Sequence, residues 1–236
     1  MPAALPSEPF RGRVWRLVEA QHYVSTMALV DSLSEQERLE AILEETKPRV
    51  PPECTHLHPL IYTPFRYGRY PWDSRFRRRG ETPGVFYAAL DSETALAETL
   101  WHKRRFFAAS PGTPLPAKAL EYTGFAVEVA TPLALDLTNA PMSDRRAEWT
   151  DPDDYAACLA LADDARAAGV EAILYESVRH PEGRTNVAVL TCASFADPSP
   201  AAWESWHLYL RPGSAQALRE HPRLNIEFRV EENGLV

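Results

Sequence analysis

The sequence predicts an α+β fold: mixed, mainly antiparallel sheet with a few helices, preceded by N-terminal helices. Two observations predict it. Short apolar runs with strand-like alternation outnumber the helical stretches, and the two kinds do not alternate strictly, as a doubly wound parallel sheet would require. A third, the stretch 14–47, looks helical in two pieces and supplies the N-terminal helices.

Within that stretch, Ser34-Glu35-Gln36-Glu37 has the capping-box form, in which a serine hydroxyl and a glutamate three residues on satisfy free backbone donors. Leu39, Ile42 and Leu43 then form an apolar stripe, and Lys47-Pro48 ends the helix. Residues 48–59 are proline-rich and read as a connector. The division that follows is a helical extension over 1–59 and a main domain over 60–236.

Further on, Val85 to Leu90 is an apolar run of strand length. Asp91 and Ser92 can cap a helix from Glu93 to about Phe107. Phe125, Val127 and Val129, then Leu133, Leu135 and Leu137, alternate as half-buried strands do. Asp153 opens another helix, with Gly169 where a C-terminal cap belongs. Strands are also expected at 172–178, 187–190, 206–210 and 226–230.

The chain has 236 residues with 33 acidic against 25 basic side chains, a net charge of -8, which argues against a general nucleic-acid binder. No window is apolar enough to span a bilayer, and the start lacks a basic segment followed by an apolar one, so a cytoplasmic protein is expected. Three scattered cysteines, Cys54, Cys158 and Cys192, fit a reducing compartment better than a disulfide framework. Cys54-x-His56-x-His58 lies in the proline-rich connector without a second cluster, so no metal is expected.

Against that acidic background, Thr63 to Leu100 concentrates Arg66, Arg69, Arg75, Arg77, Arg78 and Arg79 among aromatic residues. Guanidinium forks grip phosphate oxygens and aromatic faces stack on rings or cations, so the segment suggests a pocket for a compact polyanion with flat rings. A dinucleotide such as NAD meets both requirements. Neither a Walker motif nor Gly-x-Gly-x-x-Gly is present, so an NAD site here would be non-Rossmann. There is no Gly-x-Ser-x-Gly elbow for a hydrolase nucleophile either.

Several side chains have two readings. Glu98 could lie on a solvated helix face, or could stabilise positive charge developing on a ribose carbon as a glycosidic bond breaks. Arg66, between Phe65 and Tyr67, reads as strand-terminal and partly buried, and its anionic partner is a structural carboxylate or a ligand phosphate. Tyr87 is a core tyrosine or a platform for a cationic nicotinamide. Ser177 and Asn186 flank the turn at 179–184, as turn formers or as hydrogen-bond partners for a carboxamide or ribose.

At these residues the chain resembles the RES family of bacterial toxins, named for an arginine, a glutamate and a serine. The stretches that carry the likeness are TPFRY, SRFRRRG, GVFYAALDSETALAET, LYESVR and GRTNVAVL, between about residues 60 and 195. The resemblance implies a fold like that of diphtheria-toxin-type ADP-ribosyltransferases, with NAD as co-substrate and no metal. It implies that Arg66 holds phosphate or ribose, that Tyr67 and Tyr87 clamp the nicotinamide end, and that Glu98 is the catalytic carboxylate. Ser177 and Asn186 would be the C-terminal polar pair, with Arg75 a second candidate for the diphosphate. These roles require Glu98, Arg66 and Tyr87 to surround one cavity.

The activity implied is transfer of ADP-ribose from NAD to a host protein such as phosphoribosyl pyrophosphate synthetase. NAD hydrolysis or phosphorolysis is the alternative, and a non-enzymatic nucleic-acid module a second one. The partners implied are an Xre-type antitoxin and a protein acceptor, with a homodimer inside the toxin–antitoxin complex, and neither nucleic acid nor membrane.

Overall fold

Where a first helix is expected from residue 14, the computed structural model, which describes residues 5–20, 29–110, 112–231 and 234–235, has a strand. This is β1 (Ser7–Glu19), antiparallel to the long β5 (Leu120–Asp136) from Ser7↔Leu135 to Glu19↔Tyr122. Phe10, Val14 and Val18 pack on one side of it, Trp15 and Leu17 on the other. Apolar side chains on both faces hide the strand's period of two, while the β-branched and aromatic residues favour it. The part of the expected helical span at 21–28 lies outside the described residues. Because β1 belongs to the main sheet, the sheet draws on both sides of the expected boundary at residue 59.

The second expected helix is present as α1 (Leu33–Thr46), ending at Lys47. Its cap is two residues earlier than expected: Ser32 Oγ accepts from the Glu35 N–H at 3.3 Å, and Glu35 Oε2 accepts from the Asp31 N–H at 2.9 Å. Ile42 and Leu43 are exposed, so the apolar stripe does not face the body. The segment ending at Arg66 is a helix, α2 (Pro59–Arg66), not a strand. Pro59 occupies its first turn and His58 Nδ1 accepts the Leu60 N–H at 3.2 Å, which starts a helix that sequence alternation alone does not reveal. Gly84 passes so close beneath α2 that a Cβ there would lie 2.0 Å from the Pro64 carbonyl oxygen.

A short hairpin, β2 (Arg69–Tyr70) with β3 (Gly80–Glu81), leads into β4 (Phe86–Ala89) and α3 (Ser92–Ala108). Asp91 caps α3, accepting the Thr94 N–H at 2.8 Å, as expected. After β5 come α4 (Arg146–Trp149), α5 (Ala156–Ala167), β6 (Ala172–Glu176) and β7 (Thr185–Val189). The chain then forms the meander β8 (Ala202–Leu210), β9 (Ser214–Arg219), β10 (Leu224–Glu231) and β11 (Gly234–Leu235). Gly169, with φ +77°, terminates α5 where a C-cap glycine is expected.

Among the described residues these strands form one sheet in the order β1-β4-β7-β6-β5-β8-β9-β10-β11, with β1 also paired to β5. Five strands therefore close on themselves. Only β5–β6 is parallel in that sheet, so the mixed, mainly antiparallel architecture agrees with expectation. The two strands expected at 125–129 and 133–137 are a single element, which pairs with β8 over its first half and with β6 at its end. On one side of the closed set, Val14, Phe86, Phe125 and Val187 pack with Ile61 and Phe65 of α2. The other side is covered by α5 and α3.

Cys54 and Cys192, 138 residues apart, are joined by a disulfide with Cα atoms 5.4 Å apart, which corrects the expectation of unpaired cysteines. Spacing could not show it, because the fold brings two distant short turns together. Cys158 is free and buried. No helix among the described residues is long and apolar enough to cross a membrane.

Candidate active site

Three elements meet at Glu98. It projects from the second turn of α3 toward the end of β6 and the start of β7. Ser177 Oγ donates to Glu98 Oε1 at 2.7 Å, and Asn186 Nδ2 donates to the same oxygen at 2.7 Å. No further hydrogen bond reaches that carboxylate among the described residues, so both bonds fall on Oε1. Ser177 opens the β6–β7 connection, where its Oγ accepts from the backbone N–H groups of Arg179 at 3.2 Å and His180 at 3.1 Å. With two donors already on that oxygen, its own proton is directed at Glu98. Ser177 and Asn186 are both 1% exposed, and Asn186 Oδ1 is buried without a partner.

Cations and rings surround this carboxylate. The buried Arg179 guanidinium stacks on Trp101 with its carbon 3.5 Å from the ring centre and donates to the Pro152 carbonyl at 2.6 Å. Trp101 and His102 stand about one turn beyond Glu98 on α3. Burial pulls the His102 pKa below its ordinary 6.5, Glu98 opposes this, and Arg179 and Arg105 add to it. Tyr175 is pushed well up, first by burial and then by Glu98 and Tyr87, so its phenol lies within the electrostatic reach of both.

Tyr87 shares a sheet face with Asn186, since β4 and β7 pair Tyr87↔Ala188 and Ala89↔Asn186. Its hydroxyl accepts the Phe76 N–H at 3.0 Å and bonds Ser74 Oγ at 2.9 Å, and burial raises its pKa. Arg16, on β1, donates to the Tyr87 carbonyl at 3.1 Å and stacks on Phe86 at 5.0 Å. Burial lowers the Arg16 pKa to about 10, the Tyr70 phenol opposing it.

Glu98, Ser177 and Asn186 thus converge, and Tyr87 lies on the same face. Arg66 does not join them, contrary to the single cavity expected. Its Nε donates to the Pro48 carbonyl at 2.5 Å and its Nη1 meets Glu44 Oε1 at 2.6 Å. Of its two expected partners it has the structural carboxylate, because the last turn of α2 turns its side chain onto α1 and the connector. Tyr67 caps the end of α2 and is exposed. Arg75 is buried and holds the carbonyls of Trp149 at 2.6 Å and Asp151 at 2.9 Å, over the Tyr155 ring at 4.8 Å. It ties the 73–79 loop to the segment before α5. Trp101, His102, Tyr175 and Arg179 are the neighbours that sequence reasoning missed, whereas Arg16 lies over Phe86 on the opposite face of the sheet. The Tyr-x-Ser-x-Arg spacing contained two of them, Tyr175 and Arg179. Among the described residues no group of three His, Cys, Asp or Glu is placed to hold a metal.

A mixed α+β protein with a carboxylate held by a serine and an asparagine at the ends of paired strands is the class that fold and site define. The chain belongs to the RES domain family, whose model matches residues 49–211. Among solved structures it is similar to the M. tuberculosis MbcT–MbcA toxin–antitoxin complex, at 15% identity over 84% of this chain and 85% of that chain, with a TM-score of 0.47. Among curated proteins, none matches the chain.

Proposed function

We propose that this chain is the toxin of a toxin–antitoxin pair, an enzyme that cleaves the nicotinamide–ribose bond of NAD and transfers ADP-ribose to a host protein. Membership in the RES domain family supports this reading. One observation carries it: Glu98 presents a carboxylate with Oε1 fixed by Ser177 and Asn186 and Oε2 unengaged among the described residues. Such a group suits a reaction in which positive charge appears on the ribose C1′ as neutral nicotinamide leaves with the bonding electrons.

In this reading the nicotinamide lies against Tyr87, whose ring attracts the cationic pyridinium. Arg179, not bonded to a carboxylate among the described residues, is the guanidinium available to the diphosphate. As the C1′–N bond breaks, Oε2 stabilises the ribosyl cation and orients the acceptor, whose nucleophile bonds to C1′ and gives up its proton. Holding the carboxylate in advance avoids reorganising it during the reaction, which is where positioning and electrostatics supply rate. An Xre-type antitoxin is the proposed partner.

Nicotinamide release from NAD by the purified protein tests the cleavage, and mass spectrometry of host extract tests the transfer. A protein that gains the mass of ADP-ribose supports transfer. Free ADP-ribose or its phosphate alone would replace transfer by NAD breakdown.

A further inference from the structure

A second feature lies on the far side of Tyr87 from its backbone contact with Arg16. Between the 76–83 loop and α5 is a cavity of about 60 Å³, lined by Arg77, Arg78, Asp163 and Arg166 with Phe76 and Leu159. Among the described residues, Arg77 Nε and Arg166 Nη2 are both buried from solvent and without a hydrogen-bond partner. The one carboxylate in the lining among the described residues, Asp163, is taken by Arg78, whose Nε and Nη2 each reach it at 2.8 Å. Arg77 is fixed by stacking on Tyr70, its guanidinium carbon 3.1 Å from the ring centre. Both arginines act electrostatically on the Tyr87 phenol.

Among the described residues, three guanidiniums against one carboxylate leave an excess of two positive charges around a small hollow. Unpartnered guanidinium nitrogens out of water are unfavourable, and gain most from a charged acceptor that can enter. The cavity is several times the roughly 10–15 Å³ that one water requires, but far below the roughly 300 Å³ of a small-molecule pocket. A tetrahedral oxyanion fits this size; a nucleoside does not.

We propose that this pocket is an anion site that takes a phosphate group, bound by the guanidinium groups of Arg77 and Arg166 that line it. The ligand is inorganic phosphate or the terminal phosphate of a phosphomonoester whose remainder stays outside. The site is independent of the Glu98 chemistry, so either can fail without the other.

Thermal unfolding of the full chain, titrated with inorganic phosphate at constant ionic strength, tests it. The wild-type midpoint should rise and saturate. Arg166→Gln and Arg77→Gln should each weaken the apparent phosphate affinity about tenfold or more, while Arg11→Gln, at an exposed arginine outside the pocket, should leave it unchanged. Two separate pocket variants guard against one that fails to fold. Competition by AMP would assign a phosphomonoester, and its absence inorganic phosphate. No saturable rise in the wild type, or an undiminished rise in either pocket variant, would overturn the proposal.

Discussion

Ser177 Oγ donates to Glu98 Oε1 at 2.7 Å while accepting two backbone N–H groups from the turn that it opens. One hydroxyl therefore fixes both the carboxylate and the path of the chain from β6 toward β7. The asparagine that completes the arrangement comes from β7 itself, so any shift of β7 relative to α3 would undo it.

Ser177→Ala should lower nicotinamide release more than it lowers stability. A hydrogen bond to a charged group is worth about 1.5–3 kcal/mol, which corresponds to roughly ten- to hundredfold in rate. Steady-state kinetics beside a urea unfolding curve separates the two effects.

Arg75→Met should act the other way. It strands the Trp149 and Asp151 carbonyls and removes the cation over Tyr155, with an expected loss of about 2–4 kcal/mol of stability. Arg75→Lys should recover part of this, because an ammonium cannot span both carbonyls as the planar fork does. Urea unfolding of both variants checks it.

Much of this framework can be read in the sequence, and the exceptions share a cause. The β4–α3 junction is legible because Asp91 and the Val85–Leu90 run are local signals. β1 is not, because Val14 and Leu17 pack on opposite faces and only the partner β5 shows that both are covered. Arg66 reads equally well as a ligand for phosphate or for a carboxylate, and only α1 decides it by offering Glu44. Ser177 and Asn186 could be named from the turn they flank, whereas their meeting on one oxygen of Glu98 depends on how α3 lies across β7. Arg166 gave no signal at all, being one more arginine on an amphipathic helix.

Histidine titration should make stability fall as the solution is acidified below about pH 6.5. Burial lowers the pKa of both His102 and His180 below their ordinary value of 6.5. Below 6.5 the unfolded chain binds more protons than the folded one, so stability is full above 6.5 and is lost as pH falls from 6.5 through the lower folded-state values. His102→Gln should flatten the dependence. Melting temperatures between pH 5.5 and 7.5 would show a flat wild-type profile if the idea is wrong.

Gly84→Ala should separate α2 from β4. Its Cβ would meet the Pro64 carbonyl oxygen at 2.0 Å and the Phe65 Cα at 2.7 Å, backbone atoms that cannot rotate away. The cost expected is roughly 1–3 kcal/mol, as for overpacking generally, read by urea unfolding.

The decisive measurement is nicotinamide release from NAD by the wild-type protein and by Glu98→Gln, with both confirmed folded by circular dichroism. The amide keeps the shape and one acceptor oxygen but carries no charge, so release should fall at least about a hundredfold. Equal rates for the two proteins would contradict a catalytic role for Glu98.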